Sequence, residues 1–422
     1  MNRRNRAAVA ALLAAVSVAA CQPAASNPAS PGSAGPGSSA STTPISGDPI
    51  KVALITDSAG STSLFGVANI NGARMAVDEL NAAGGVIGRP VDLIVRDSKS
   101  KPDVGVQLTR DAILGDKVSA IFGPVSSAVA AAMTEVAKEN KTPIFFHTSN
   151  TQRLTTELFH KYAFMVGPNT TMEGRGNAIG VAKLPYKKWA VIAPDYEFGH
   201  LQSEAFVNKL KELRPDVEIV AEQYPKLGEK EFTPVITSVL AANPEAVYSA
   251  NFAGDLITFT KQAAPLGFFD KVFFTSLYET DALQALGAEA PEGVRGYSRA
   301  PFYAIDSPAI DGFVSSYRDR YGVYPSDWAI MAYDAMKLWA AGVEKSGDLD
   351  PDKLVTALEG YEFDSVRGTV TIRPIDHQAS VSVYSGTVKQ DAEIGFATWT
   401  DIVITPGDEV WLSEDEVKAQ QP

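Results

Sequence analysis

Cysteine is almost missing: Cys21 stands alone in 422 residues. A single cysteine excludes an intramolecular disulfide framework and a multi-cysteine zinc site. Histidine is scarce too. His147, His160, His200 and His377 lie far apart, and none pairs with another at the i, i+4 spacing of a helical metal site. Basic residues are in deficit, 37 Lys and Arg against 50 Asp and Glu, for a net charge of −13. That balance argues against nucleic acid as a partner, because neutralising phosphates takes clustered Lys and Arg. The phosphate-binding loop Gly-x-x-x-x-Gly-Lys-Ser/Thr, the His-Glu-x-x-His helix and the Gly-x-Ser-x-Gly elbow are all missing. Gly174-Arg-Gly176-Asn-Ala-Ile-Gly180 approximates a dinucleotide fingerprint, but it is one residue too long and follows no strand. Helix packing accounts for its glycines better. No cofactor, metal or catalytic residue is expected. A Ser-His-Asp triad, whose members meet only in space, stays formally open, and an enzyme is the weakest of the readings below.

The N-terminus reads as an address and a tether. Arg3, Arg4 and Arg6 precede an uncharged apolar run from Ala7 to Ala20. That run is shorter than the ~20 residues that a membrane-spanning helix needs, which makes residues 1–20 an export signal. Val18-Ala19-Ala20-Cys21 places small residues directly before the cysteine. Residues 22–47 are almost wholly Pro, Ser, Gly, Ala and Thr and carry no charge. Such a segment cannot offset its ordering entropy by burial and is expected to be a disordered tether, roughly 30 Å in root-mean-square span.

From Ile50 onward strands and helices alternate. Ile50–Thr56 is a β-rich run, Asp57–Gly66 a polar Gly/Ser loop, and Asn71–Ala82 a helix ended by Gly84-Gly85. Strands are expected at 91–95, 119–122 and 143–146, with helices at 104–114 and 128–138 between them. The pattern restarts at Trp189, with strands at 190–193, 217–221, 246–249 and 272–275 and helices at 201–213, 233–242 and 256–264. Helices at 307–321 and 327–345 and a β-rich end at 368–372, 380–387 and 399–404 follow. Two doubly wound α/β units are therefore expected.

Ligands of doubly wound sheets sit beyond the carboxyl ends of the strands. In the first unit those ends carry Ser58 to Gly66 with Phe65, Gly123-Pro-Val-Ser126-Ser127, and His147-Thr148-Ser149-Asn150. These loops are rich in hydroxyls and poor in charge, and Ser127 opens a helix whose dipole favours an anion. In the second unit the equivalent ends carry Tyr196 and Phe198, Phe252, and Leu277-Tyr278-Glu279. Hydroxyl loops facing aromatic loops describe a cleft for a small amphiphilic solute.

Phe65-Gly66 with Asn71-Gly72-Ala73-Arg74, Leu80-Asn81 with Gly84-Gly85-Val-Ile-Gly88, Phe122-Gly-Pro-Val-Ser126-Ser127 and Asp195-Tyr-Glu-Phe198-Gly199 occur in an order that resembles the type I periplasmic binding proteins. More closely, it resembles the branched-chain amino acid (Leu/Ile/Val) binding proteins of ABC transporters. The similarity runs from about Ile50 to Thr400, and Val18–Cys21 resembles a bacterial lipobox, with Cys21 as the lipidated residue.

The resemblance implies two lobes joined by three crossovers near Val166–Asn169, Gly296–Pro301 and Arg373–Asp376. Residues 48–167 with 300–374 would form one lobe, and 168–299 with 375–422 the other. It implies ligand contacts from Phe65, Ser127, Thr148, Ser149, Asn150, Tyr196, Phe198, Phe252, Tyr278 and Glu279. Ser127, Thr148 and Asn150 would hold a carboxylate or similar head, with backbone amides near Ser149. The family's ammonium-binding acid falls near Leu277, so Glu279 must point into the cleft if an α-amino acid is the solute. Otherwise an amide, a urea-like compound or an aromatic acid fits equally. Phe198 and Phe252 stand where Tyr is common. The implied function is capture of a small polar solute and delivery to an ABC permease and ATPase. A ligand-sensing receptor of the same fold is the alternative. The implied protein is a monomer held by its lipid to the outer face of a bacterial membrane.

Overall fold

The structure, a computed structural model, describes residues 45–422. The expected signal, Cys21 and most of the tether lie outside the described residues. Strands β1 (Ile50–Thr56), β2 (Val91–Asp97), β3 (Ala120–Phe122), β4 (Ile144–Phe146) and β5 (Ala163–Met165) form a parallel sheet in the order β2-β1-β3-β4-β5. β1 is buried everywhere except Lys51, as a strand covered on both faces must be. Its Val52 and Leu54 face one core, packed by helix α1 (Ser63–Ala82) and by a helix from later in the chain; Ala53 and Ile55 face another, packed by α2 (Pro102–Arg110) and α3 (Ser127–Glu139).

After α4 (Thr170–Val181) a second sheet begins: β6 (Lys188–Ile192), β7 (Glu218–Gln223), β8 (Ala246–Ser249), β9 (Phe273–Ser276) and β10 (Arg295–Ser298). Its helices are α5 (Glu197–Leu213), α6 (Thr233–Ala241), α7 (Ala253–Ala263), α8 (Phe268–Lys271) and α9 (Thr280–Leu286). The chain then makes α10 (Ile310–Tyr321), α11 (Asp327–Ser346) and α12 (Pro351–Leu358). α11 packs along α1, back on the first sheet. A hairpin, β11 (Glu362–Ser365) and β12 (Gly368–Thr371), follows. β13 (Val383–Asp391) and β14 (Phe396–Thr405) then complete the second sheet as its antiparallel edge, in the order β14-β13-β10-β9-β8-β6-β7. α13 (Glu414–Gln420) closes the described chain, capped by Ser413 and Glu416.

The chain thus forms two α/β lobes, and each sheet reverses strand order once, between β1 and β3 and between β6 and β8. A crevice opens at each reversal, beyond the carboxyl ends of the strands.

Several expectations change. α1 starts at Ser63 rather than Asn71, so Phe65 and Gly66 stand on its first turn and not in a loop. The small residues that resemble a loop are there for close approach: a Cβ on Gly66 would lie 2.2 Å from the Asp57 carbonyl oxygen. α2 ends at Arg110 and widens into a π-helical turn over Asp111–Asp116. β5, α4, α8, α9, α12, β11 and α13 are additional elements, β12 falls on the strand expected at 368–372, and β10 occupies a stretch expected as a crossover. Gly174 and Gly176 lie in α4, where added Cβ atoms would meet Ala205 Cβ at 2.6 Å and Val383 Cβ at 2.9 Å; these glycines serve helix packing.

Candidate ligand-binding site

The two crevices face each other across a narrow cleft, whose free volume is about 20 Å³. Its lining comprises Phe65, Val125, Ser127, Thr148, Asn150, Tyr196, Phe198, Phe252, Leu277, Arg299 and Trp328. Seven of the ten residues expected from sequence therefore come together here. Ser149, Tyr278 and Glu279 do not reach the lining.

One wall is aromatic and spans both lobes. Phe65, on the first turn of α1, lies 3.9 Å from Trp328 near the start of α11 and 5.7 Å from Phe252 across the cleft. Phe252 meets Phe198 edge-on at 5.3 Å, and Phe198 lies 5.9 Å from Tyr196. Phe252 and Tyr196 are the residues that precede α7 and α5, so turn geometry sets where their rings project. Burial raises the Tyr196 phenol far above its ordinary range, which keeps it neutral.

The opposite wall is polar, and most of its hydrogen bonds are already committed. Thr148 donates its hydroxyl to Asn69 Oδ1 at 2.9 Å, and Asn69 in turn donates to Thr56 Oγ1 at 3.1 Å. The Thr148 oxygen is therefore free to accept from His147 Nδ1, 2.9 Å away. Burial, aided by Arg367, lowers the His147 pKa to about 3, so this imidazole is neutral. With its proton spent, Thr148 offers a solute only a lone pair. The Ser149 N–H, expected to meet a carboxylate, is given to the Pro124 carbonyl at 3.0 Å, and its hydroxyl is buried without a partner.

Ser127 opens α3 from the cleft side. The residue before it, Ser126, makes no side-chain cap, and its own N–H donates to Asp57 Oδ2 at 2.8 Å. The positive end of α3 thus meets the cleft with one buried carboxylate already beside it.

Arg299 was missed from sequence. It follows β10, is 3% exposed, and donates through Nε and Nη2 to the two oxygens of Glu173 on α4, at 2.8 and 3.1 Å. Its Nη1 donates to the Thr148 carbonyl, and its guanidinium lies 4.8 Å from the centre of the Trp328 ring. Glu173 also accepts from Asn150 Nδ2 at 2.6 Å.

Tyr278 turns away from the cleft to pair with Thr260 Oγ1 at 2.8 Å in the lobe core. Glu279 is fully buried and caps α9, accepting from the Ala282 N–H at 2.7 Å, while its Oε1 has no partner. Burial and neighbouring Asp281 raise its pKa well above the usual carboxylate range. It is a cap, and no ammonium partner lines the cleft. Among the described residues no cluster of His, Cys, Asp or Glu fits a metal ion, and no helix is long and apolar enough to cross a membrane.

A family model described as periplasmic binding protein matches residues 49–393. Among curated proteins the chain is similar to the leucine-, isoleucine-, valine-, threonine- and alanine-binding protein of Pseudomonas aeruginosa, 22% identical over 77% of this chain and 86% of that one. Among solved structures it is similar to a periplasmic binding protein from Burkholderia mallei, with a TM-score of 0.81 and 21% identity over 88% of this chain and 98% of that one. It is also similar to a solute-binding protein of an ABC transporter from Rhodopseudomonas palustris in complex with benzoate. There the TM-score is 0.77 and the identity 22%, over 85% of this chain and 97% of that one.

Proposed function

We propose, on the premise that this chain belongs to the periplasmic binding protein family, that it captures a small carboxylic acid with an aromatic body. It would deliver that acid to an ABC permease and its ATPase. Its relatives are binding proteins of transporters and not enzymes. The observation that carries the reading is the lining. Five aromatic residues form one wall, and the only carboxylate held against a lining cation is that of Glu173, paired with Arg299. A free α-amino acid would bring an ammonium group for which this lining has no acidic partner. An aromatic acid needs none.

The R. palustris protein holds benzoate on the same fold, which supports this choice, and the P. aeruginosa relative's amino-acid ligands mark the competing one. Closure follows if the solute contacts both lobes and so favours the closed state. In a thermal-shift assay, benzoate or 4-hydroxybenzoate at about 1 mM is expected to raise the melting midpoint by several degrees. Leucine, isoleucine and valine should leave it in place. A shift with leucine and none with the aromatic acids would overturn the proposal.

Attachment through Cys21 is proposed from the sequence pattern, with the segment to residue 47 as tether. Cys21→Ser, expressed in a bacterial host, should move the protein from the membrane fraction to the soluble one. Retention in the membrane fraction would refute lipidation at this residue.

A further inference from the structure

Every positive feature of the cleft is matched by a buried carboxylate. The amino end of α3 has its Ser126 N–H on Asp57. Arg299, the one cationic side chain in the lining, gives two parallel hydrogen bonds to Glu173, which is completely buried. Taking an ion pair out of water costs more than its attraction returns unless other groups complete the hydrogen bonding. Here Asn150 and the Thr148 carbonyl complete it, and both belong to residues of the lining. Glu173 touches no part of the cleft surface, yet it fixes two groups that do. Three of the five N–H groups of Arg299 are thereby used, and the other two remain for a solute.

We infer that Glu173 sets the charge that the cleft accepts. By neutralising Arg299 it turns a cationic site into a dipolar one, in which a carboxylate and the matching carboxamide compete on similar terms. Glu173 is therefore the specificity-determining residue of the site, acting through Arg299 as a positioning and charge-balancing group. This rests on the aromatic-acid reading above. At separations near 5 Å and an effective dielectric of about 20, one charge changes the affinity for an anion by on the order of a hundredfold.

The test is the ratio of affinities for benzoate and benzamide, measured by calorimetry on the wild type, Glu173→Gln and Glu173→Asp. Glu173→Gln is expected to tighten benzoate at least tenfold while benzamide stays within about threefold. Glu173→Asp keeps the charge and should keep the wild-type ratio even if both affinities fall. A merely structural role would move both ligands together, and an unchanged ratio in Glu173→Gln would overturn the inference. Should that variant fail to fold around an unpaired Arg299, the double variant Glu173→Gln/Arg299→Gln replaces it. With both charges of a mutually neutralising pair gone, its ratio should stay within about threefold of the wild type's, and a loss of benzoate of tenfold or more relative to benzamide would show that Arg299 had not been neutralised and overturn the inference. If the wild type binds neither probe, the aromatic-acid reading falls and the inference with it. If the wild type binds benzoate but the ratio stays fixed, only the inference falls.

Discussion

Gly72→Ala is expected to cost about 3 kcal/mol of stability and to weaken solute binding at least tenfold. Gly72 lies in α1 where that helix runs against α11. A Cβ there would sit 2.0 Å from the Ala329 carbonyl oxygen and 2.9 Å from Ala329 Cα. Those atoms are backbone and cannot rotate away, so one helix must move. Helix propensity works in the opposite direction and favours alanine by about 1 kcal/mol, leaving the clash as the larger effect. The same two helices carry Phe65 and Trp328, whose rings lie 3.9 Å apart in the cleft. Separating the backbones opens that pair, so affinity should fall together with stability. Gly312 is the control. It also lies within a helix, α10, but an added Cβ meets nothing within 4 Å, and Gly312→Ala should be neutral or slightly stabilising. Denaturant titration of both variants decides the matter, and a Gly72→Ala midpoint equal to the wild type's would show that α1 and α11 are not locked at this crossing.

That crossing also shows why sequence reading loses the start of α1. Small residues serve both loops and close helix contacts, and only the neighbour across the contact tells the two apart. The alternation of strand and helix was legible because parallel strands buried on both faces are continuous apolar runs, as in β1 and β8. β5 sits in an equally apolar run, Tyr162–Val166, but no α-helix separates it from β4, so the alternation left no place for it. The cleft loops were legible by position alone, since every strand of a doubly wound sheet sends its following loop to the ligand side. Side-chain direction beyond a strand end was not. Leu277 enters the cleft while Tyr278, one residue on, points into the lobe core and Glu279 bonds to its own helix. Arg299 carried no local signal either, because its partner Glu173 is 126 positions away and the pair exists only after both lobes form.

The buried acids at the lobe junction should make stability fall as pH rises through the weakly acidic range, and Glu279→Gln should remove much of that fall. Glu279 and Asp281 lie at the start of α9, and Asp327 opens α11 opposite them. Thr280 Oγ1 spans the gap to Asp327 Oδ2 at 3.4 Å. Burial is the main cause raising both α9 acids. Asp281 and Asp327 raise Glu279 further, and Asp327 raises Asp281, which reaches about 7. The charges acting on the pair are acidic, and no cation offsets them.

Each of these groups therefore holds its proton in the folded state to a higher pH than in the unfolded chain. Between about pH 4 and pH 7 the folded state binds more protons, so this contribution is intact at the acid end and lost as pH rises. Asp255, raised to about 6 by burial, acts in the same sense. His147 and His160, lowered to about 3 and about 4 chiefly by burial, act against it, because their protonation favours the unfolded chain at low pH. The raw profile of the wild type mixes these contributions, and the difference between wild type and variant isolates the acid pair. In Glu279→Gln the side-chain carbonyl can keep the Ala282 N–H, and an amide replaces the unpartnered Oε1. The two proteins should be close in stability at pH 5 and diverge progressively as pH rises to 8, with the variant the more stable. Solute affinity should diverge in the same direction. Ionised acids on α9 would repel Asp327, and α11 carries Trp328 beside it into the cleft. Parallel stability curves for the two proteins between pH 5 and pH 8 would show that this junction carries no proton-linked strain.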